Sequence, residues 1–345
     1  MIRTLSLLVL GLATALTADR FGIATVTMRS NGQVFSNVIV FNEDAAKLEH
    51  SVDAKDDGGR TTKNAGEYTI VYNPPTGGAI QSWYRANGAL TARKPAEAAE
   101  LFAAAVGELR EADQAHWAIE SAFRAARLYI DLKEYDKAIS QYMVVESGWP
   151  KALRVGEARF LRGQALIAKG DAAGARKLFG EMAGQSGASG IFGVRGLSDL
   201  LRAEGKPEEA AKIIVPVLAR VRPEADPDTW GTLAVQAITD LANGKQVAEA
   251  QALAQRAILA PIPAAHQAGA RVQLGKLRAA QGDAVGLQDA VDHFAIARGL
   301  SGSPEAVRAE AAKLGREAIG RIEALPGLDE ALKRDYRLQA DAFGR

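Results

Sequence analysis

The sequence predicts a mainly α protein, an array of αα-hairpins stacked as a superhelical solenoid, preceded by a small N-terminal β-sheet or barrel module. Three observations carry this reading. Alanine recurs at Ala98, Ala138, Ala175, Ala210, Ala250 and Ala290, at intervals of about 35 to 40 residues, a period at which helical hairpins repeat. A short breaker containing Gly or Lys stands just before the last five of those alanines. Between Phe21 and Tyr72 the apolar pattern instead has the period of two expected of strands.

Composition narrows the function classes. The chain has 345 residues, 48% apolar and 24% charged, which excludes a disordered or multi-span membrane protein. Lys plus Arg number 42 against 41 Asp plus Glu, so there is no basic excess to neutralise phosphates and no nucleic-acid partner is expected. Cysteine is absent, which removes disulfides, thiolate nucleophiles and cysteine-ligated metals together.

Residues 1–18 read as a secretory signal peptide. Arg3 precedes the apolar run Leu5 to Leu16, and small residues fit cleavage after Ala15 or Ala18. Fifteen residues from Thr4 to Ala18 make a helix of about 22 Å, short of a hydrocarbon core of roughly 30 Å. The expectation is export to the periplasm or extracellular space, with no span left after cleavage.

Residues 19–75 form the expected β module. Strands are predicted over Ile23 to Arg29, Gln33 to Phe41, Lys47 to Val52 and Glu67 to Asn73, with Asn31-Gly32 as a tight hairpin turn. Val38 to Phe41 is apolar on both faces, as in a strand buried on both sides. So small a module is marginal alone and should dock on the helices C-terminal to it. Asp53, Asp56 and Asp57 resemble a calcium loop, but Lys55 and Asn64 stand where ligands are needed, so a solvated turn is the better reading. Pro74-Pro75 and Gly77-Gly78 end the strand pattern.

Residues 79–325 form the array, in five to six repeats. Four residues after each alanine come Phe102, Tyr142, Phe179, Ile214, Ala254 and Phe294. Seven after come Ala105, Val145, Met182, Val217, Ala257 and Ala297. Offsets of four and seven define one buried stripe on a helix. The breakers Lys133-Glu134-Tyr135, Gly170-Asp171, Gly205-Lys206, Gly244-Lys245 and Gly282-Asp283 supply the turns, with the glycines placed to adopt left-handed backbone. Ala126, Gly163, Ser198 and Gly275 mark close approaches of the first helix. Pro150, Pro223, Pro261 and Pro304 close second helices. A further helix is expected from Ser303 to Leu325 with a Ser cap, and residues 326–345 supply an amphipathic capping helix from Leu328 to Phe343.

These marks resemble tetratricopeptide repeats. In the best copy, Ile119 to Ala152, the family's small, aromatic, aromatic, Ala, aromatic and Pro marks are carried by Ala126, Tyr129, Tyr135, Ala138, Tyr142 and Pro150. The copy from Gly156 to Ser189 carries Gly163, Leu166, Ala175 and Phe179, and that from Ile191 to Glu224 carries Leu197, Ala210 and Ile214. The resemblance implies that first helices line a concave surface holding a peptide or partner protein. On it the lining candidates are Phe123, Arg127, Phe160, Gln164, Arg195 and Asp199, with the rings of Phe123 and Phe160 either in that groove or in the hairpin core. The Lys and Asn pairs that clamp a C-terminal carboxylate in some relatives are missing from these positions.

No catalytic constellation emerges, and neither a cofactor nor a metal is expected. His50, His116, His266 and His293 lack ligand spacing. Gly269 to Leu277 resembles a phosphate loop with one residue too many, and Ser186 and Ser189 sit in what reads as an inter-repeat loop without the nucleophile-elbow spacing. The expectation is a non-enzymatic scaffold of the bacterial cell envelope. The alternative makes the β module the specific reader and the array a spacer. An enzyme would show itself by ionisable groups clustered in a pocket between module and array.

Overall fold

Five antiparallel strands open the computed structural model, which describes residues 20–44, 46–52, 59–75, 80–327 and 329–344. The strands are β1 (Gly22–Met28), β2 (Val34–Glu43), β3 (Lys47–Ser51), β4 (Arg60–Asn64) and β5 (Tyr68–Tyr72), in the order β4-β3-β2-β1-β5. The signal segment and the acidic residues 53–57 lie outside the described residues.

That order forces the sheet to curl. Four strand spacings would part the edges of a flat sheet by about 19 Å, whereas β4 and β5, at opposite edges, are joined by only 65–67, which reach about 13 Å. Bulges between Ala24 and Val26 and between Val40 and Asn42 supply the bend. The result is an open barrel around Ala24, Val26, Val38, Val40, Leu48 and Tyr68. Two expectations are corrected. β4 is a fifth strand whose Arg-Thr-Thr-Lys-Asn sequence has no apolar face to announce it. The β1–β2 connection is also longer than a two-residue turn: Gly32 is left-handed at φ 70°, Asn31 Oδ1 accepts from the Gln33 N–H, and Met28 N–H reaches Gln33 O at 2.8 Å.

The chain divides into two compact units, Met1–Asp171 and Ala172–Arg345. The first holds the barrel with α1 (Gln81–Thr91), α2 (Pro95–Glu111), α3 (Ala115–Asp131), α4 (Tyr135–Gly148) and α5 (Val155–Lys169). The second holds α6 (Ala172–Ala183), α7 (Gly187–Ala203), α8 (Pro207–Leu218), α9 (Pro227–Asn243), α10 (Val247–Leu259), α11 (Ala264–Ala279), α12 (Ala284–Gly299), α13 (Glu305–Glu323) and α14 (Glu330–Gly344). The fold is mainly α, built of successive helical hairpins after a small antiparallel sheet. No helix among the described residues is long and apolar enough to cross a membrane.

The predicted stripe is the core. Every one of its residues is buried except Val217, which is half-buried, the next residue, Leu218, taking the inward place at the end of α8. Helices approach closely where one lacks a side chain: a Cβ at Gly196 would fall 2.5 Å from the Phe179 ring, at Gly275 2.6 Å from Phe294, and at Gly315 2.5 Å from Phe343.

Turn chemistry differs at one breaker. Gly205 and Gly282 are left-handed as expected, but between α9 and α10 the positive φ of 63° falls on Lys245. Gly244 instead has φ −78° and sits against the Glu208 backbone, where a Cβ would meet it at 3.2 Å. Its small size serves packing. The α13 start also differs. Pro304 takes the cap position with no side-chain hydrogen bond, and the Ser303 hydroxyl is buried without a partner. At the other end, Arg298 and Arg316 donate to the Ala342 and Phe343 carbonyls at 2.9 and 2.8 Å and close α14.

The glycine contacts give a paired prediction. Gly275→Ala should cost about 1–3 kcal/mol through overpacking against Phe294. Gly107→Ala, on the exposed face of α2 with open space around its Cβ, should add up to about 1 kcal/mol. Urea unfolding of the two variants checks both signs.

Candidate functional site

The face of α7 carries Ile191, Arg195, Asp199 and Arg202 at helical spacing, opposite Thr229, Thr232, Gln236 and Asp240 of α9. At one end the seam is closed. Arg202 donates to both Asp240 oxygens at 2.6 and 2.9 Å, Gln236 to Asp199 at 2.7 Å, and Ser198 to Asp240 at 3.2 Å. Asp240 is fully buried, so its charge is matched inside the seam. The hydrogen bond to Asp240 holds the Arg202 pKa above its ordinary value, with the Asp240 and Asp199 charges outweighing burial.

At the other end the seam opens into a cavity of about 410 Å³. Its walls are Ile191, Phe192, Val221 and Leu233; its rim is Arg195, Asp226, Asp228, Thr229 and Thr232. Asp226 starts α9 by accepting from the Thr229 N–H at 3.2 Å, with Pro227 in the first turn. Asp228 projects to solvent, with His266 Nε2 3.5 Å away. An apolar slot between a guanidinium and two carboxylates can take an apolar side chain and bond the flanking backbone.

The six sequence candidates fall into different settings. Arg195 lines the cavity, and Asp199 is tied into the closed end of the same seam. In the first unit, Arg127 on α3 and Gln164 on α5 are exposed. Phe123 and Phe160 are 7% and 4% exposed. The Phe123 ring is edge-on to Tyr142 and covered by the Arg154 guanidinium at 3.8 Å, so it packs the hairpin core. Phe192, Val221, Asp226 and Thr232 carried no signal in the sequence, although Asp226-Pro227 marks the start of α9. The phosphate-loop-like segment runs inside α11, and Ser189 lies in the first turn of α7, not in a loop.

In the first unit, ionisable groups do gather where the barrel meets the helices. The Arg20 and Phe21 carbonyls accept from the Ala115 and His116 N–H groups at 3.1 and 2.8 Å, filling two open donors at the start of α3. Trp117 Nε1 donates to Asn73 O at 2.7 Å, and Tyr72 stacks on His116 at 3.6 Å. The Tyr72 hydroxyl donates a hydrogen bond to Glu43 at 2.7 Å. Burial, helped by Glu43, lifts the Tyr72 pKa well above its ordinary value, and burial lowers that of His116 to about 4. Neither group is poised for proton transfer near neutrality. The cluster reads as a docking joint.

No family model matches the chain, and no curated protein does. Among solved structures, a tetratricopeptide repeat protein from Parabacteroides merdae is similar at 19% identity and TM-score 0.39, over 68% of this chain and 99% of that one. The TPR2AB domain of yeast Sti1 in its pHSP90 complex is similar at 14% identity and TM-score 0.27, over 77% and 98%.

The joint should be acid-sensitive. His116 is neutral when folded, with its pKa depressed from 6.5 to about 4, so its contribution is present above pH 6.5 and lost as pH falls through that window. The loss is on the order of 3 kcal/mol. Around it stand Tyr72, Glu43, Glu120 and Arg154; Glu43, raised by burial, acts in the opposite sense. Thermal unfolding followed by tryptophan emission should show the loss in the natural chain and not in His116→Phe, which keeps the stack. Identical pH profiles would contradict this.

Proposed function

We propose that this chain is a non-enzymatic interaction scaffold, exported to the cell envelope, that holds an extended peptide or partner segment in the groove between α7 and α9. One observation carries the reading. The same helix pair is sealed by Asp199, Arg202, Gln236 and Asp240 at one end and open at the other, so the cavity is a defined gap in a rigid seam. Rigid walls lower the ordering cost of binding. Export rests on the pattern of residues 1–18.

Deleting the barrel would be a poor test of the alternative, because its carbonyls fill the open donors of α3. Substitution at the groove is cleaner. Ala188 is exposed on the groove wall, and Val285 is exposed on α12. A photo-crosslinking residue at 188, in the chain from Asp19 and in envelope extract, should yield a partner adduct that the same residue at 285 does not. Arg195→Glu with Ala188→Trp, which reverses the rim charge and fills the slot, should weaken capture about tenfold or more. Capture indifferent to both substitutions would overturn the groove and move recognition to the barrel.

A further inference from the structure

The joint in the first unit encloses a second pocket, of about 210 Å³, lined by Phe21, Glu43, Ile70, Tyr72, Leu153 and Arg154 among others. Its charged groups are unequally matched. Arg154 is taken: it bonds Glu120 at 2.8 Å and Glu157 at 2.7 and 3.1 Å, and lies on Phe123. Glu43 receives one hydrogen bond, from Tyr72 at 2.7 Å, and pairs with no cation among the described residues. Glu120 is shared with Arg124, which bonds it at 3.0 Å, so three carboxylates stand against two guanidinia and neither guanidinium reaches Glu43. Burial raises the Glu43 pKa even against the Tyr72 hydrogen bond, as for a carboxylate short of positive charge. The Tyr72 hydroxyl, whose O–H donates a hydrogen bond to Glu43, keeps lone pairs free to accept.

Apart from His116, whose ring stacks on Tyr72, the rest of the lining is apolar. Phe21, Ile70, Ile119 and Leu153 surround the carboxylate with hydrocarbon. At the roughly 30 Å³ a water takes in the liquid, the space suits an unbranched chain of about five to seven non-hydrogen atoms. A metal ion would find one carboxylate and a phenol, too few oxygen ligands for a hard cation. An anion would meet Glu43 and an Arg154 already neutralised.

We propose that this pocket binds an alkylammonium group, its charge on Glu43 and Tyr72 and its methylenes against Phe21, Ile70 and Leu153. Two sources share that chemistry, a lysine side chain of a polypeptide and a free aliphatic amine. The site lies in the first unit, so it stands or falls independently of the α7–α9 groove.

Calorimetric and NMR titration of the chain from Asp19 with n-pentylammonium, 1-pentanol and pentanoate at neutral pH tests this. The amine should saturate, shifting the Trp117 indole and His116 amide signals, and salt should weaken it. The alcohol should bind about tenfold or more weaker, the scale of one charge-assisted hydrogen bond. Glu43→Gln, which still accepts from Tyr72, should cost the amine about the same factor. Leu153→Ser, at the half-exposed rim, should weaken amine and alcohol alike. Either tighter probe, Nα-acetyl-lysine N-methylamide or cadaverine, supports the site and assigns its source. No saturation by about 10 mM amine, equal binding of alcohol and amine, preference for pentanoate, or an unaffected Glu43→Gln would overturn it.

Discussion

The architecture depends on aromatic rings seated where a neighbouring helix has no side chain. Phe179 against Gly196, Phe294 against Gly275 and Phe343 against Gly315 each place a ring where a Cβ would collide. Such contacts fix both the distance and the register of the helices they join. They are made from residues several turns apart in sequence, so each hairpin is specified locally. The groove inherits this precision. α7 is pinned on one side by Gly196 over Phe179 and on the other by Arg202 and Asp240. The open slot lies beyond the reach of both.

The two units solve the problem of burying polar groups differently. In the second, Asp240 is fully buried and its charge is met by Arg202 and Ser198. Removing one partner of such a pair costs about 3–5 kcal/mol, although the pair itself adds little net stability, so its physical effect is register. In the first unit the joint uses backbone: the Arg20, Phe21 and Asn73 carbonyls bond Ala115, His116 and Trp117. A barrel of about 55 residues, marginal alone, thereby shares its hydrogen bonds with the helices. The same joint leaves Glu43 half-buried, with no cation paired to it among the described residues.

The helical part of this fold was legible because its signal is local. Ala, a bulky residue four on and a third seven on form a stripe at the helical period, and burial follows it along the second helices. The misses are equally physical. β4 pairs at an edge and buries no face, so Arg60 to Asn64 looks like a loop. Gly244 is small for packing and not for backbone freedom, which sequence cannot distinguish; Lys245 bears the left-handed backbone instead. The sequence leaves Phe123 and Phe160 open between groove and core because the two settings differ by a fraction of a turn, and the Arg154 that covers Phe123 comes from the start of α5. Arg195, a candidate from its repeat position, lines the open cavity. Val221, Asp226 and Thr232 come from the next loop and helix, and only tertiary packing brings them to Arg195.

Hydrogen–deuterium exchange on the intact chain, with and without a partner purified from envelope extract, tests the central claim most directly. The account predicts new protection of the amides at 187–195 and 226–233, the two walls of the open seam, with the amides around Arg202 and Asp240 protected in both states. Protection confined to 60–64 and 68–72, the edge strands of the barrel, would contradict it and make the barrel the reader.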